Sequence, residues 1–416
     1  MESLREHRLG NGLTLLGDLM PDRHVVAFCL ALPAGFATED PARRGLSSIA
    51  AGMLLRGTTR RDSRALSDAL DSLGLQRGEA VDCEFIEFHG ALGRALLGPA
   101  LDLYAEMLRS PAFPEDQLAA EREQGLQAIA ALADDPGRRL MVELRRQFIL
   151  SAHGESSLGT PEGIRAIVRE DLVRDHLRRM CPCGGMLAVA GGFDWTEVVK
   201  RAERLFGDWR GNAPAPEAVR LRDGPWETRI HQETAQEHIG LAFPGVALGD
   251  PDFYPLRLAI GVLSGGMSGR LVTEVREKRG LAYAVGASLW TLPGAGVVCC
   301  YAGTTPDRAD ETAHVLDAEL ARLADGVAPP ELERARIGIL SALVMDQESS
   351  LARASAMVSD YWQLGRVRPL GEIQAAYRAV AVDQVDEVLR RRAAAPRTVV
   401  RLGPGRTGAP RQGGAA

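Results

Sequence analysis

The spacing of apolar positions divides the chain into short strands that alternate with longer amphipathic helices. An Asn-Gly pair between two apolar stretches at 9–13 predicts a hairpin, and the apolar run at 24–33 predicts the next strand. Over 63–73, Leu66 and Leu70 share one face, which predicts an amphipathic helix. The same criteria predict helices over 43–55, 95–108, 114–132, 195–206, 253–264, 309–325, 330–345 and 351–364 and strands over 81–89, 184–192, 238–245, 281–290, 296–301 and 398–402.

The second half of the chain repeats the pattern of the first half. Setting His24 against His238 brings Met53 against Met267, each near the end of a strand-then-helix unit. A repeat of this length indicates duplicated domains rather than a solenoid. We therefore predict an α+β protein with two duplicated domains, each an antiparallel or mixed sheet with helices packed on one face. The predicted division is an N-terminal domain over 1–212, a linker rich in Pro, Gly and Ala over 213–225, a C-terminal domain over 226–404 and a flexible tail over 405–416.

Composition narrows the functional classes. Hydrophobic residues make up 45% of the 416 and charged residues 25%, as in ordinary globular proteins. With a net charge of −6 and no long run of Lys or Arg, we expect no nucleic-acid partner. No stretch of about 18 apolar residues predicts a membrane span, and the charged segment 1–9 does not resemble a secretory signal. The six cysteines match neither a zinc finger nor a disulfide framework, so we expect incidental thiols and a cytoplasmic protein.

The segment Gly45 to Thr58 carries the first family resemblance. It is similar to the zinc helix of the insulinase-type (pitrilysin-type) peptidases, which follows roughly Gly-Leu-x-His-x-x-Glu-His-Met-x-x-x-Gly-Thr. In that family two histidines bind zinc and the glutamate polarises the attacking water. Here the flanking residues match, but Ser48 and Gly52 stand at the histidine positions and Ala51 stands at the glutamate position.

The third ligand of the family is a glutamate on a later helix, and it too is missing. The best alignment places Ala128 at that position, and a shift of one residue would place Gln127 there, which is no better as a ligand. The eight histidines are dispersed, and no other H-x-x-E-H or H-E-x-x-H motif occurs. We therefore expect no metal and no cofactor in this chain, and no peptidase activity from the chain alone.

The second resemblance lies in the C-terminal half, around Arg276 and Tyr283. The surrounding sequence is similar to the bacterial and mitochondrial-processing-peptidase-like branch of the family, whose fold is of the LuxS/processing-peptidase type. In that branch an Arg and a Tyr seven residues apart hold the scissile carbonyl and the oxyanion, and the resemblance implies this role for both residues. The glycine-rich turn before them resembles a substrate loop, and its glycines are Gly265, Gly266 and Gly269.

These features together predict the non-catalytic subunit of a heterodimeric zinc metallopeptidase. The expected partner is a paralogous chain with an intact H-x-x-E-H motif, which would carry the zinc, and the expected substrate is a peptide enclosed between the two chains. The alternative is a catalytically dead peptide-binding or scaffold protein, as a hetero- or homodimer with no part in hydrolysis.

Overall fold

A computed structural model describes residues 3–392 and 395–405, and within these ranges the chain forms two mixed sheets flanked by helices. The strands are β1 (Leu4–Arg8), β2 (Thr14–Leu19), β3 (Val25–Leu32), β4 (Gln76–Val81), β5 (Ile86–Gly93), β6 (Met186–Gly191), β7 (Trp226–His231), β8 (Glu237–Pro244), β9 (Ala282–Leu292), β10 (Ala295–Thr304) and β11 (Thr398–Gly403). The helices are α1 (Leu46–Leu54), α2 (Ser63–Asp71), α3 (Leu97–Arg109), α4 (Glu115–Ala133), α5 (Pro136–Phe148), α6 (Pro161–Ala166), α7 (Arg169–Arg179), α8 (Trp195–Phe206), α9 (Phe253–Ser264), α10 (Ala309–Arg322), α11 (Pro329–Asp346), α12 (Ser350–Leu364), α13 (Leu370–Ala379) and α14 (Val382–Arg392). None of the helices in these ranges has both the length and the hydrophobicity needed to cross a membrane.

The two sheets have the same topology. The first has the order β1-β2-β6-β3-β5-β4, and the second has the order β7-β11-β8-β10-β9. In the first sheet β2 and β6 are parallel and the remaining pairs are antiparallel. In the second sheet β7 and β11 are the parallel pair and the others are antiparallel. The predicted α+β class with a duplicated mixed sheet is confirmed, and β1 is the one strand of the described chain that the second sheet lacks.

The described chain divides into two compact units that are not continuous halves of the sequence. Unit 1 contains the residues up to Ala131 together with Ser151–Ala218 and Val344–Pro369. Unit 2 contains Leu132–Leu150, Val219–Leu343 and the described residues from Leu370 onward. The predicted linker over 213–225 includes the change of unit after Ala218. Each unit thus includes one helix from the other half of the sequence: α12 belongs to unit 1 and α5 belongs to unit 2.

Helix α12 covers the second face of the first sheet. Successive residues of β3 point to opposite faces, and both Phe28 and Cys29 are fully buried. One face packs against α1, α2 and α3, whereas Cys29 packs against Met357 and Val358 of α12. The Arg353 guanidinium on α12 also forms an ion pair with the buried carboxylate of Asp18, with Nε 2.7 Å from Oδ2. The sequence predicted helices on one face, and the structure adds a single helix on the other because both faces are apolar.

Helix α5 has the equivalent position in unit 2. Leu140 and Leu144 are fully buried, and a Cβ built at Gly240 of β8 would lie 3.1 Å from Leu144 and 3.3 Å from Leu140. The missing side chain at Gly240 therefore lets α5 lie close to the sheet.

Several predicted elements differ from the structure. The single strand predicted over 81–89 is a hairpin of β4 and β5, because residues 82–85 form the turn. The sequence also predicted none of β7, α5, α6, α7, α13 and α14. Residues 406–416, most of the predicted flexible tail, lie outside the described part of the chain.

Candidate functional site

Helix α1, which carries the family's metal motif, begins in a buried polar network. Gly45 precedes it with a φ of 104°, a conformation that glycine adopts without strain. The Glu39 carboxylate accepts hydrogen bonds from the backbone N–H groups of Gly45 (3.0 Å) and Ser47 (2.6 Å). Burial raises the pKa of Glu39, and the fully buried guanidinium of Arg179 donates to Ser47 Oγ at 3.0 Å. The start of α1 is therefore held rigidly without any contribution from a metal.

The three motif positions on α1 present no metal ligand. Ser48 Oγ donates a hydrogen bond to the carbonyl oxygen of Ser157 at 2.6 Å. Ala51 is 2% exposed and belongs to the hydrophobic core of unit 1. Gly52 has no side chain, and a Cβ built on it would lie 2.5 Å from Cδ of Glu121 and closer still to Oε1. The space beside Gly52 is therefore already occupied.

The occupant is an ion pair between α4 and the segment after α1. Glu121 is 8% exposed, and its Oε2 accepts two hydrogen bonds from Arg56, from Nε at 3.0 Å and from Nη2 at 2.8 Å. A carboxylate that is largely removed from water needs such a partner, because an unpaired buried charge is costly. The Arg56–Glu121 pair thus occupies the space into which a histidine side chain at position 52 would extend.

The third expected ligand position is also unsuitable for zinc. Ala128 is half-buried on α4, and Gln127, the alternative in a shifted alignment, is exposed. Within the described ranges, no group of three or more His, Cys, Asp or Glu side chains is arranged to hold a metal ion. A zinc site needs at least three such ligands in protein. The residues present therefore do not fit the zinc ion that the family resemblance implies.

In unit 1 the side chains of Ser151, His153 and Glu84 are hydrogen-bonded one after another, like the serine, histidine and carboxylate of a catalytic triad. Ser151 Oγ lies 3.4 Å from His153 Nδ1, and His153 Nε2 lies 3.0 Å from Glu84 Oε1. However, the serine and histidine are 5% and 1% exposed, and Trp362 of α12 donates to the other oxygen of Glu84 at 2.9 Å. A nucleophile must reach its substrate, so we assign this cluster the structural role of fixing α12 on the sheet.

Arg276 lies in an irregular helical turn of unit 2. Residues Val272–Glu277 form a π-helical turn, in which the N–H of Lys278 bonds to the carbonyl oxygen of Thr273, five residues earlier, at 2.9 Å. Such turns are rare and are often found at functional sites. The sequence did not predict this irregularity, because its effect depends on backbone hydrogen bonding rather than on residue type.

The structure brings Arg276 and Tyr283 together. The Arg276 guanidinium carbon lies 5.2 Å from the centre of the Tyr283 ring, a cation–π distance. Tyr283 is near the start of β9 and is 80% exposed. The Arg276 side chain is about one third exposed, and its Nε is 3.5 Å from the Glu277 carboxylate. Both polar groups are therefore available to a ligand, which fits the role that the resemblance implies.

Hydrogen bonds fix the segment that carries these two residues. The Glu274 carboxylate accepts hydrogen bonds from Lys278 at 2.7 Å and from Arg279 at 2.6 Å, and these contacts lower its pKa. Beyond the turn, Thr304 Oγ1 donates to the carbonyl oxygen of Leu281 at 2.5 Å. The backbone that carries the Arg–Tyr pair is therefore anchored on both sides, as preorganised donors require.

The glycine-rich turn lies beside β9. Gly265 and Gly266 are exposed, Gly266 has a φ of 100°, and Gly269 is buried. Met267 at the tip is 62% exposed. At the base of the turn, Ser264 Oγ accepts a hydrogen bond from the backbone of β9 at 2.9 Å. The turn is thus next to the strand that bears Tyr283, and its role as a substrate loop remains a prediction.

Sequence reasoning missed two residues that shape these sites, Glu121 and Glu274. Glu121 is seven residues before Ala128, so both lie on one face of α4. This periodicity is the signal that could have placed an acidic side chain beside the degenerate motif. Glu274 carries no such signal, because its partners depend on the π-helical turn.

The fold and the degenerate helix define a peptidase-like protein with a duplicated α+β unit. The family model for the insulinase group, peptidase family M16, matches residues 19–161, and the model for the M16 inactive domain matches residues 186–339. The chain belongs to the insulinase-type M16 peptidase family.

Individual relatives agree with this assignment over nearly the whole chain. A Rickettsia bellii protein described as an uncharacterized zinc protease is 28% identical over 406 residues, which are 97% of this chain and 98% of the relative. An M16 inactive-domain structure from Pseudomonas fluorescens superimposes with a TM-score of 0.86 at 21% identity, covering 98% of this chain and 99% of the other. A Helicobacter pylori protease structure superimposes with a TM-score of 0.89 at 18% identity, covering 97% and 100%. These two structures show the shared fold.

Proposed function

We propose that this chain is the non-catalytic subunit of a two-chain zinc metallopeptidase. A paralogous chain with an intact H-x-x-E-H motif would supply the zinc, and this chain would supply Arg276, Tyr283 and half of a chamber that encloses the peptide. The observation that carries the proposal is an asymmetry: the metal-binding positions are filled by other groups, whereas the exposed Arg276–Tyr283 pair is retained on an anchored segment.

The chemistry of the pair supports a role in stabilising an oxyanion. A guanidinium and a phenol hydroxyl are both donors, and donors held in place before the reaction stabilise charge that develops in the transition state. The ring of Tyr283 lies against the Arg276 guanidinium, so each limits the movement of the other. The anchoring of Glu274 and Leu281 reduces the reorganisation needed when a carbonyl binds.

The proposal includes a cytoplasmic location. All six cysteines are free thiols, and five of them are buried, which suits a reducing compartment.

Reconstitution tests the proposal directly. The chain and a paralogue with an intact motif from the same organism are purified separately, and hydrolysis of unstructured fluorogenic peptides is measured for each alone and for the mixture. We expect no hydrolysis by this chain, and hydrolysis by the mixture that exceeds that of the paralogue.

Two outcomes would contradict the proposal. Equal activity of the paralogue with and without this chain would remove the catalytic role and favour the peptide-binding scaffold. A failure of the two chains to associate in analytical ultracentrifugation would remove the heterodimer.

A further inference from the structure

Two cysteines of unit 1 lie two residues apart just before β6 begins. Cys181 is 1% exposed, Cys183 is half-buried, and both are free thiols. The chain bends at Pro182 between them, and the N–H of Gly185 bonds to the Pro182 carbonyl oxygen at 2.9 Å. We call residues 181–183 the Cys-Pro-Cys turn. The proposed function uses neither of its thiols.

The backbone of the Cys-Pro-Cys turn allows the two sulfurs to meet. A disulfide needs Cα atoms roughly 4.4–6.8 Å apart. Cα atoms two residues apart exceed that range only when the chain between them is almost fully extended, and here it bends at Pro182. The Cys181 sulfur points along the turn and lies 4.0 Å from the carbonyl oxygen of Cys183. Burial raises the pKa of Cys181, and the neighbouring Cys183 thiol raises it further, which indicates that the two sulfurs are close.

Glycines leave room beside both cysteine side chains. A Cβ built at Gly12 would lie 3.1 Å from Cys183 Sγ, and a Cβ built at Gly211 would lie 2.8 Å from Cys181 Cβ. The two glycines have φ values of 91° and 140°, so side chains there would also strain the backbone. Rotation of the two cysteine side chains toward each other is therefore not blocked by a side chain at position 12 or 211.

The Cys-Pro-Cys turn also holds the segment 211–213, which follows α8. Cys183 forms a parallel β-bridge with Asn212. Burial raises the pKa of the Cys181 thiol, and a hydrogen bond from the Ala213 backbone partly opposes this effect. Both cysteines thus contact the segment 211–213, whose last residue is the first of the predicted linker. A change in the covalent state of the two sulfurs must alter these contacts.

We propose that Cys181 and Cys183 form a reversible disulfide by exchange with oxidised glutathione, and that this disulfide loosens the segment 211–213. The thiolate of Cys183, the more exposed residue, attacks one sulfur of oxidised glutathione and releases one glutathione thiolate. The thiolate of Cys181 then attacks the Cys183 sulfur of the mixed disulfide and releases the second glutathione. The two electrons and two protons of the thiol pair end on two molecules of reduced glutathione.

The state of the pair follows the redox state of its surroundings. A disulfide across three residues closes a small, strained ring, and strained disulfides are readily reduced. In a reducing compartment the pair is therefore a dithiol, and the disulfide forms only when oxidised glutathione accumulates. When it forms, the Cys181 sulfur turns toward Cys183 and its hydrogen bond with the Ala213 backbone is lost. The inference goes beyond the proposed function, and its test needs neither the partner chain nor hydrolysis.

Mass spectrometry of the full chain tests disulfide formation. The chain is equilibrated with mixtures of reduced and oxidised glutathione, alkylated with iodoacetamide under denaturing conditions and digested with trypsin. The tryptic peptide 180–200 contains both cysteines of the turn and no other cysteine. As oxidised glutathione increases, we expect this peptide to lose both alkyl groups and to become two hydrogens lighter than the unalkylated dithiol.

A second cysteine pair in the same chain provides the control. Cys299 and Cys300 lie together in the tryptic peptide 280–308, and each is 1% exposed. Because they are neighbours on β10, their side chains point to opposite faces of the sheet. Both should remain alkylated in every mixture.

Hydrogen exchange tests the effect on the segment. In the oxidised chain, amide exchange in the peptide that spans 211–213 should be about fivefold faster than in the reduced chain, which is the effect of losing one hydrogen bond. Exchange in residues 296–303 of β10 should be the same in both states. Thermal melts of the oxidised and reduced chains check that the fold is retained.

Single variants test the order of the two steps. Cys181→Ser should stop at the mixed disulfide and keep one glutathione on Cys183. Cys183→Ser should take up no glutathione, because Cys181 is almost fully buried. The control Cys299→Ala removes a buried thiol outside the turn and should form the disulfide like the wild type.

Three results would overturn the inference. They are a peptide 180–200 that stays alkylated on both cysteines in fully oxidised glutathione, equal uptake of glutathione by Cys181→Ser and Cys183→Ser, and unchanged hydrogen exchange over 211–213 in the oxidised chain. The first result would leave the two residues as ordinary thiols that pack where β6 begins.

Discussion

The substitution Gly52→Ala tests the account of the degenerate metal site. Alanine normally stabilises a helix interior by about 1 kcal/mol relative to glycine. Here the added Cβ would overlap the Glu121 carboxylate, so this side chain must rotate away and its hydrogen bonds to Arg56 must lengthen or break.

The expected balance is a net loss of stability. A hydrogen bond to a charged group contributes about 1.5–3 kcal/mol, and the helix gain offsets about 1 kcal/mol of that loss. We expect the free energy of unfolding to decrease by roughly 0.5–2 kcal/mol. For a unit of this size, each kcal/mol lowers Tm by about 2–4 °C. Urea unfolding followed by circular dichroism, with calorimetry alongside, measures the change.

A matched substitution provides the control. Gly338 also lies inside a helix, α11, but a Cβ there would have no atom within 4 Å, so Gly338→Ala should stabilise. In a Glu121→Ala background, Gly52→Ala should no longer lower the free energy of unfolding, because the Glu121 carboxylate that obstructs the added Cβ is absent. Stabilisation by Gly52→Ala equal to that of Gly338→Ala would refute the placement of Glu121.

Three further predictions concern catalysis, metal content and pH. In the reconstituted complex, Arg276→Ala and Tyr283→Phe should each lower kcat by about a hundredfold to a thousandfold. The double variant should lower kcat by a smaller factor than the product of the two single effects, because both residues act on one charge. Unchanged kcat in both single variants, with normal thermal melting, would favour the scaffold function. The dialysed chain should contain no stoichiometric zinc by elemental analysis, and one tightly bound zinc ion would contradict our account of the motif positions on α1. Burial lowers the pKa of His176 to about 4, so the unfolded state binds more protons than the folded state between pH 6.5 and 4. Stability should therefore fall as the pH falls through this window, and His176→Gln should reduce that fall; an identical pH dependence of the urea midpoint in both proteins would refute this cause.

The sequence by itself was sufficient to establish the family, the duplicated α+β class and the loss of the metal ligands. Each of these depends on local information: residue type, the period of apolar positions, and the spacing of Ser48, Ala51 and Gly52 within one helix. The continuous apolar run at 24–33 also carried a signal that was not used, because a strand that is apolar on both faces must be covered on both. The hairpin of β4 and β5 was missed because its turn at 82–85 contains neither Gly nor Pro.

Only the tertiary structure decided which elements cover one another and which side chains meet. Arg353 of α12 and Asp18 of β2 are 335 residues apart in sequence, and no local pattern specifies their contact. The meeting of Glu121 with Gly52 depends on how closely α4 approaches α1, and the placement of Arg276 over Tyr283 depends on a π-helical turn. Local sequence sets backbone preference and the periodicity of apolar faces, whereas these contacts arise from packing between segments that are distant in sequence. The degenerate motif was therefore visible in the sequence, but the ion pair that fills its place was not.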